Sequence, residues 1–329
     1  MIITVIVALL VVIVVTLTII RLHEKQTNAM CKSKKKLEGR VAVVTGGTAG
    51  MGLEIATDLA RRGAKVIIAC PFEQEGVNAR RTIIESTGSQ KVIFKLLDLK
   101  SLESVREFTA DILNTEKRLD ILINNAGVAF SANTKTYIGT NFMMAVNYLG
   151  HFILTLLLLP LLKKSGTSAE PSRIVNVSSV LHLFGRANYE SYNRMAIFYR
   201  FFHYCHSKFC VMLFTHELSK RLKDSEVVVN AVDPGAVGTN IYQSLSKVIG
   251  LVVTFLFKNM FKTPWEGAQT ALYVALDDET RNISGQYFKN CKLSRAKKSA
   301  YDDKLSKKLW NDSIRLVKLE EDELKICGL

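Results

Sequence analysis

The stretch Val41-Ala42-Val43-Val44-Thr45-Gly46-Gly47-Thr48-Ala49-Gly50-Met51-Gly52 joins a short apolar run to a helical pattern through a turn holding four glycines. Val41 to Val44 lacks alternation, which fits a strand buried on both faces. Gly46 and Gly47 break that run. From Met51 to Arg62 apolar residues recur at helical spacing (Leu53, Ile55, Ala56, Leu59, Ala60). Glycines in such a turn let the backbone approach a pyrophosphate, whose charge then rests on the helix N-terminus. Alone, the pattern also describes a glycine-rich turn with no ligand. Its place between strand and helix gives it weight.

The alternation continues along the chain. Strands are predicted at Lys65–Ala69, Val92–Phe94 (its segment ending at Asp98), Leu119–Ile123, Arg173–Val177 and Val227–Val232. Helices are predicted at 73–87, 102–113, 138–162 and 199–222. Strand and helix in turn, with continuously apolar strands, imply an α/β fold: a doubly wound parallel sheet of the Rossmann kind, binding its ligand at the carboxyl ends of the strands.

Composition narrows the class. Hydrophobic residues make up 48% of the 329, so a large core can form and wholesale disorder is excluded. The six cysteines show no C-x-x-C pair and the six histidines no H-E-x-x-H, so neither a metal site nor a disulfide framework is expected. Cys205, His206 and Cys210 read as packing residues, and the Asn176-Val177-Ser178 sequon falls on a predicted core strand. Met1 to Ile20 holds no charged residue and is long enough, at ~1.5 Å per residue, to cross ~30 Å of hydrocarbon. A cleaved signal peptide, the competing reading, would show a basic start and a small-residue cleavage site; the run ends Thr18-Ile19-Ile20-Arg21 instead. Residues 21–40 carry seven basic and two acidic side chains, five of the fourteen net positive charges. Such a flank stays cytosolic and touches anionic head groups, which accounts for the basic excess better than nucleic acid does. The expected organisation is a transmembrane helix at 1–20, a basic juxtamembrane segment at 21–37, the Rossmann domain at 38–290 and an amphipathic tail at 291–329. In the tail, Tyr301, Leu305, Leu309, Trp310 and Leu316 suggest a helix packing on the domain or the membrane, and Glu320-Glu321-Asp322-Glu323 a solvated acidic end.

Four motifs recur in one order: Thr45-Gly46-x-x-x-Gly50-x-Gly52, Asn124-Asn125-Ala126-Gly127, Ser179 after the fifth strand, and Tyr204-x-x-x-Lys208. Asp233-Pro234-Gly235 and Thr239 follow the sixth strand. Each residue has a bland reading by itself, as a strand cap, a half-buried aromatic or a helix-interior amide, and the Tyr–Lys spacing arises by chance about once in such a chain. Together and in this order, over roughly residues 38–290, they resemble the short-chain dehydrogenase/reductase family. Asn147-Tyr148-Leu149-Gly150-His151-Phe152, Tyr204-Cys205-His206-Ser207-Lys208 and Phe261-Lys262-Thr263-Pro264 are similar to its membrane-bound retinol dehydrogenase branch.

That resemblance implies a catalytic set of Asn147, Ser179, Tyr204 and Lys208. It implies a nicotinamide cofactor held by Thr45, Gly46, Thr48, Gly50, Met51, Gly52, Asp98, Asn125, Ala126, Gly127, Tyr204, Lys208, Pro234, Gly235, Val237 and Thr239. Tyr204 and Lys208 sit four apart, hence on one helix face. A phenol with an ordinary pKa of ~10 becomes a better general acid/base when an ammonium lies beside it. By the resemblance, Tyr204 exchanges a proton with the carbonyl or alcohol oxygen, Ser179 orients that oxygen, Lys208 also holds the nicotinamide ribose, and Asn147 anchors a water next to Lys208. At the end of the second strand the acid that selects NAD is replaced by Cys70, and the base that meets a 2′-phosphate by Pro71. The loss of the repelling acid favours NADP, with NAD as the alternative.

The stretch Val248 to Phe257, bracketed by Lys247 and Lys258, is too short to span a bilayer but long enough to lie at its surface beside the substrate; an ordinary buried helix is the other reading. The expected substrate is a lipophilic alcohol or carbonyl (retinoid, polyisoprenoid or steroid) taken from a membrane such as the endoplasmic reticulum or a lipid droplet, with the catalytic domain cytosolic. A nucleotide-binding membrane scaffold without turnover is the competing function.

Overall fold

The computed structural model describes residues 28–129, 140–186, 199–238 and 261–328, together with seven residues between 11 and 22. Those seven are helical and exposed. The predicted surface segment at 248–257 lies outside the described residues.

Strands and helices follow one another as β1 (Val41–Thr45), α1 (Gly50–Arg61), β2 (Lys65–Cys70), α2 (Glu73–Thr87), β3 (Val92–Leu96), α3 (Leu102–Thr115), β4 (Ile121–Asn124), α4 (Phe142–Ser165), β5 (Ser172–Val177), α5 (Tyr199–Arg221) and β6 (Val227–Asp233). After these come α6 (Pro264–Leu276), β7 (Tyr287–Lys289), β8 (Lys292–Ser294), α7 (Asp303–Leu316) and α8 (Glu321–Cys327). The sheet order is β3-β2-β1-β4-β5-β6-β7-β8, parallel except for the last pair. The order reverses between β1 and β4, so the crevice of a doubly wound sheet opens there. β1, β4 and β5 are buried along their whole length, which is why the residues at their centres are apolar without alternation in β1 and β4, while β5 also buries Ser172, Arg173 and Asn176. One core packs α3, α4, α5 and α7 on one face of the sheet, and a second packs α1, α2 and α6 on the other.

Three expectations change. The helix expected at 138–162 begins at Phe142 and contains a turn of π-helix, Ala145–Leu149, in which Gly150 N–H reaches back to Ala145 O. Among the described residues, Phe142–Ser165 is the one helix apolar and long enough to cross a membrane, but 83% of its apolar window is buried inside the protein. It is apolar all round because it is surrounded by protein. The acidic end is exposed at Glu320, Glu321 and Asp322, with Glu323 half-buried, but it is not a free tail. It starts α8, which packs on α4: Glu323 pairs with Arg106 at 3.0 Å, Cys327 Sγ donates to Leu156 O at 2.9 Å, and Lys163 Nζ donates to Cys327 O at 2.9 Å. β7 and β8, three residues each, had no periodic signal to announce them.

Two further features orient the domain. The amino ends of the strands are tied by charge: Arg40 and Arg118 both meet Asp120 (2.8 and 2.6 Å), Lys65 meets Glu116 at 2.7 Å, and Lys35 meets Glu170. Residues 29–37 form a strap along the domain, with Lys32, Lys34 and Lys36 exposed while Ser33 and Lys35 face inward. Leu37 N bonds Arg62 O, Arg62 reaches Ser33 O, Ser33 Oγ donates to Leu276 O, and Cys31 N donates to Gln269 Oε1. The strap thus climbs α6 from its C-terminal end towards its start.

On α7, Trp310 is buried with its ring centroid 5.1 Å from Phe152 and 6.1 Å from Phe214, under the Arg221 guanidinium at 4.3 Å. Trp310→Ala removes this keystone between α7, α4 and α5. A loss of about 3–5 kcal/mol in the free energy of unfolding is expected from urea denaturation.

Candidate active site

The glycine turn has the backbone that its sequence demands. Gly46 and Gly50 have φ of +62° and +53°, a region that side chains disfavour. A Cβ on Gly52 would lie 2.1 Å from Gly46 O, so nothing larger fits. Ala49, the N-cap of α1, offers no side-chain bond, which leaves the first-turn N–H groups facing the turn. Thr48 is half-buried in this turn and Met51 is buried at the helix start. Such a cradle, close backbone with open N–H donors, fits the pyrophosphate of a dinucleotide.

The opposite wall is built on Thr45. Its hydroxyl oxygen accepts Asn125 N–H (2.9 Å) and Ala126 N–H (3.0 Å), and Asn125 Nδ2 donates to Thr45 O at 2.8 Å. The same hydroxyl lies 3.3 Å from Ile123 O, to which it can donate, and 2.9 Å from His151 Nε2. His151 Nδ1 faces Asn147 O at 3.3 Å. Burial pushes its pKa down to about 3, so it stays neutral.

Asn147 braces the crevice floor. Its Oδ1 accepts Val128 N–H at 2.8 Å, and its Nδ2 donates to Val128 O at 2.9 Å and Ser207 Oγ at 3.0 Å. A Cβ on Gly127 would stand 3.5 Å from both Asn147 Oδ1 and Lys208 Nζ. Lys208, 3% exposed, donates to Val177 O at 2.9 Å, and its Nζ lies 5.8 Å from the centre of the Tyr204 ring. Burial lowers the ammonium pKa to about 8. Tyr204 remains half-buried, one turn away on α5. Ser179 caps a short 3₁₀ turn, Val180–Phe184, its hydroxyl accepting Leu181 N–H at 3.2 Å. A closed cavity of about 10 Å³ lies against Asn124, Asn147, His151, Asn176 and Val177, room for about one water molecule.

The remaining expected cofactor residues ring the same end of the sheet. Asp98 follows β3, accepts Lys100 N–H at 3.1 Å and pairs with its ammonium at 3.3 Å. Pro234 and Gly235 (φ +81°) follow β6, where Asp233 Oδ1 accepts Gly235 N–H at 3.0 Å. Val237 bridges to Lys262. Thr239 lies outside the described residues. At the end of β2, the Cys70 thiol donates to Phe72 O at 3.2 Å.

Reasoning from sequence passed over the residues that lock these parts together: His151, Ser207, Thr155 and Thr215. Asn124 Nδ2 donates to Thr155 Oγ1 (2.9 Å) and Asn176 Oδ1 (2.8 Å), and Asn176 Nδ2 donates to Thr215 Oγ1 (2.9 Å). Asn176 is thereby closed to glycosylation. The spacing of His151 four residues after Asn147 was the available signal. Cys205 and Cys210 are buried thiols with raised pKa, to about 12 for Cys205, and unsuited to nucleophilic work.

The model of the short chain dehydrogenase family matches residues 40–249. Retinol dehydrogenase 11 of Mus musculus is 40% identical over 304 residues, covering 92% of this chain and 94% of that protein. Retinol dehydrogenase 12 of Homo sapiens is 41% identical over 288 residues, 88% of this chain and 89% of that one. Among solved structures, a putative uncharacterized protein from Mycobacterium paratuberculosis superposes with a TM-score of 0.69 at 30% identity, covering 89% of this chain and 98% of its own. The Pseudomonas aeruginosa RhlG/NADP complex does so with a TM-score of 0.63 at 25% identity, covering 77% and 95%. With a glycine cradle at the switch point of its sheet and these relatives on either side, the chain belongs to the short-chain dehydrogenases, NAD(P)-dependent oxidoreductases acting on CH–OH groups.

Proposed function

We propose that this chain is a membrane-anchored oxidoreductase that interconverts a lipophilic alcohol and its carbonyl, of the retinoid type or a similarly apolar polyisoprenoid or steroid. The observation that carries the reading is the buried Lys208 ammonium one helical turn from Tyr204. When bound, the nicotinamide supplies or accepts the hydride. Tyr204 gives its phenolic proton to the carbonyl oxygen in reduction and takes it back in oxidation. Lys208 favours the phenolate left behind, and Ser179 orients the substrate oxygen by hydrogen bonding. Asn147 and His151 hold the floor of the crevice so that the ammonium keeps its place. The resemblance to proteins named retinol dehydrogenases supports the substrate class, and the uncharged run at 1–20 with its basic flank supports a membrane location with the domain on the cytosolic side, at the endoplasmic reticulum or a lipid droplet.

Tyr204→Phe distinguishes this enzyme from a nucleotide-binding scaffold. Turnover of retinal with NADPH should fall by at least about 10²-fold, the scale of a lost general acid, while cofactor binding by calorimetry persists. Unchanged turnover would remove Tyr204 from the mechanism.

The lowered Lys208 pKa sets a pH dependence. Below about 8 the side chain is charged and assists the phenol; above it the charge is lost. The kcat/KM for carbonyl reduction is expected to decline as pH rises through this region, and a flat profile from pH 7 to 10 would contradict the role given to Lys208.

NADP is the proposed cofactor, because Cys70 stands where a carboxylate would repel a 2′-phosphate. Cys70→Asp is expected to lower the ratio of kcat/KM for NADPH over NADH by about tenfold or more, about 1.4 kcal/mol of discrimination.

A further inference from the structure

We propose that the face of the domain bearing the carboxyl ends of the strands, where the cofactor crevice opens, docks directly against the lipid bilayer. This rests on the anchored reading above and adds which side of the protein meets the lipid.

The first argument is where the strap ends. Having climbed α6, it reaches Ala29, whose N–H donates to Asn290 Oδ1 at 2.9 Å and whose carbonyl accepts Cys291 Sγ at 3.4 Å. Asn290 directly follows β7, whose last residue, Lys289, lies in register with Asp233 at the carboxyl end of β6. Lys262 Nζ, from the segment paired with Val237, also meets Asn290 Oδ1, at 3.4 Å. The chain therefore passes from the domain to its apolar N-terminal run at the rim of the crevice. Seven residues lie between Ile20 and Asn28, so the eight Cα–Cα steps reach at most about 28 Å when fully extended. That tether holds the crevice rim near the bilayer whatever path residues 21–27 take.

The second argument is the surface itself. Phe72 at the end of β2, Leu96 at the end of β3, Leu183 and Phe184 after β5, and Trp265 at the start of α6 are all exposed, Phe184 by 57% and Trp265 by 48%. Each lies at the carboxyl-end side of the sheet. Large apolar side chains shown to solvent on one face mark a surface that is covered in use, and tryptophan favours the membrane interface. At the opposite end of the strands stand the ion pairs around Asp120, Glu116 and Glu170. Charged pairs suit water and lose by burial in lipid. The tether leaves from the side that carries Phe72, Leu96, Leu183, Phe184 and Trp265. A lipophilic alcohol then moves from bilayer to crevice without crossing water.

Tryptophan fluorescence tests this on the full chain. Trp265 is exposed on the proposed docking face, whereas Trp310 is buried between Phe152 and Phe214. The protein is bound to phosphatidylcholine vesicles, with binding scored by flotation, and vesicles with brominated acyl chains are compared with unbrominated ones. The expected result is a loss of fluorescence in brominated vesicles that disappears in Trp265→Phe and diminishes in Phe184→Glu, both surface changes. If the protein floats with the vesicles but Trp265 is not quenched, the docking proposal is overturned while the anchor stands. If it does not float, the anchored reading falls and takes the docking proposal with it.

Discussion

A buried ammonium is the constraint around which this site is arranged. Lys208 is 3% exposed, and its pKa of about 8 against an ordinary 10.5 means that holding the charge at neutral pH costs about 3 kcal/mol. The sign follows from protonation: the unfolded chain binds this proton more tightly, so the group detracts from stability below about pH 8 and the deficit shrinks between pH 8 and 10.5. A side chain that lowers stability is kept in place by its surroundings. Val177 O takes one of its three donors, and the Gly127–Val128 segment closes over it because Asn147 grips Val128 by both N–H and carbonyl.

From that constraint a single connected network extends to the cofactor cradle. Asn147 O meets His151 Nδ1, His151 Nε2 meets Thr45 Oγ1, and Thr45 Oγ1 accepts the two N–H groups of Asn125 and Ala126. Burial of the His151 ring is the main cause of its pKa of about 3, and the nearby Lys208 ammonium lowers it further. The π-turn at Ala145–Leu149 places Asn147 where it can serve this network and Ser207 together. Irregular helix here is part of how the site is made.

The parts legible in sequence were those with a local cause. β1, the glycine turn and α1 followed from chain flexibility and burial, and the Tyr204–Lys208 pair from helical spacing. What stayed hidden had a cause elsewhere in the chain. Nothing near Ala145 announces a π-turn, because the reward for it, the bonds of Asn147 to Val128 and Ser207, comes from other elements. Four consecutive acids at 320–323 looked solvated, since the partner of Glu323, Arg106, lies 217 residues earlier. Ser207 was read as one letter of a motif and proved to be the contact that ties α5 to Asn147. Sequence periodicity reports which face of an element is buried; it carries no information on which polar atoms will meet there.

Ion pairs stand at both ends of the sheet, around Asp120 and Glu116 at the amino ends and as Asp98–Lys100 and Asp233–Lys289 at the carboxyl ends. At the amino ends even Arg173 is buried, donating to Val274 O at 3.0 Å and Thr280 Oγ1 at 2.9 Å, and burial lowers its pKa to about 10. There the charges fasten strands to neighbouring turns, and full satisfaction of each donor is what makes such burial tolerable. At the carboxyl ends access is needed as well. The α1 N-terminus is left without a side-chain cap and Tyr204 keeps partial exposure. Groups that meet a dinucleotide and a substrate have to stay reachable, and the rigidity that aims them comes from the elements around them. The Asp120 ion pairs supply it from the amino ends of the strands, and the Thr45–His151–Asn147 contacts supply it from the crevice floor.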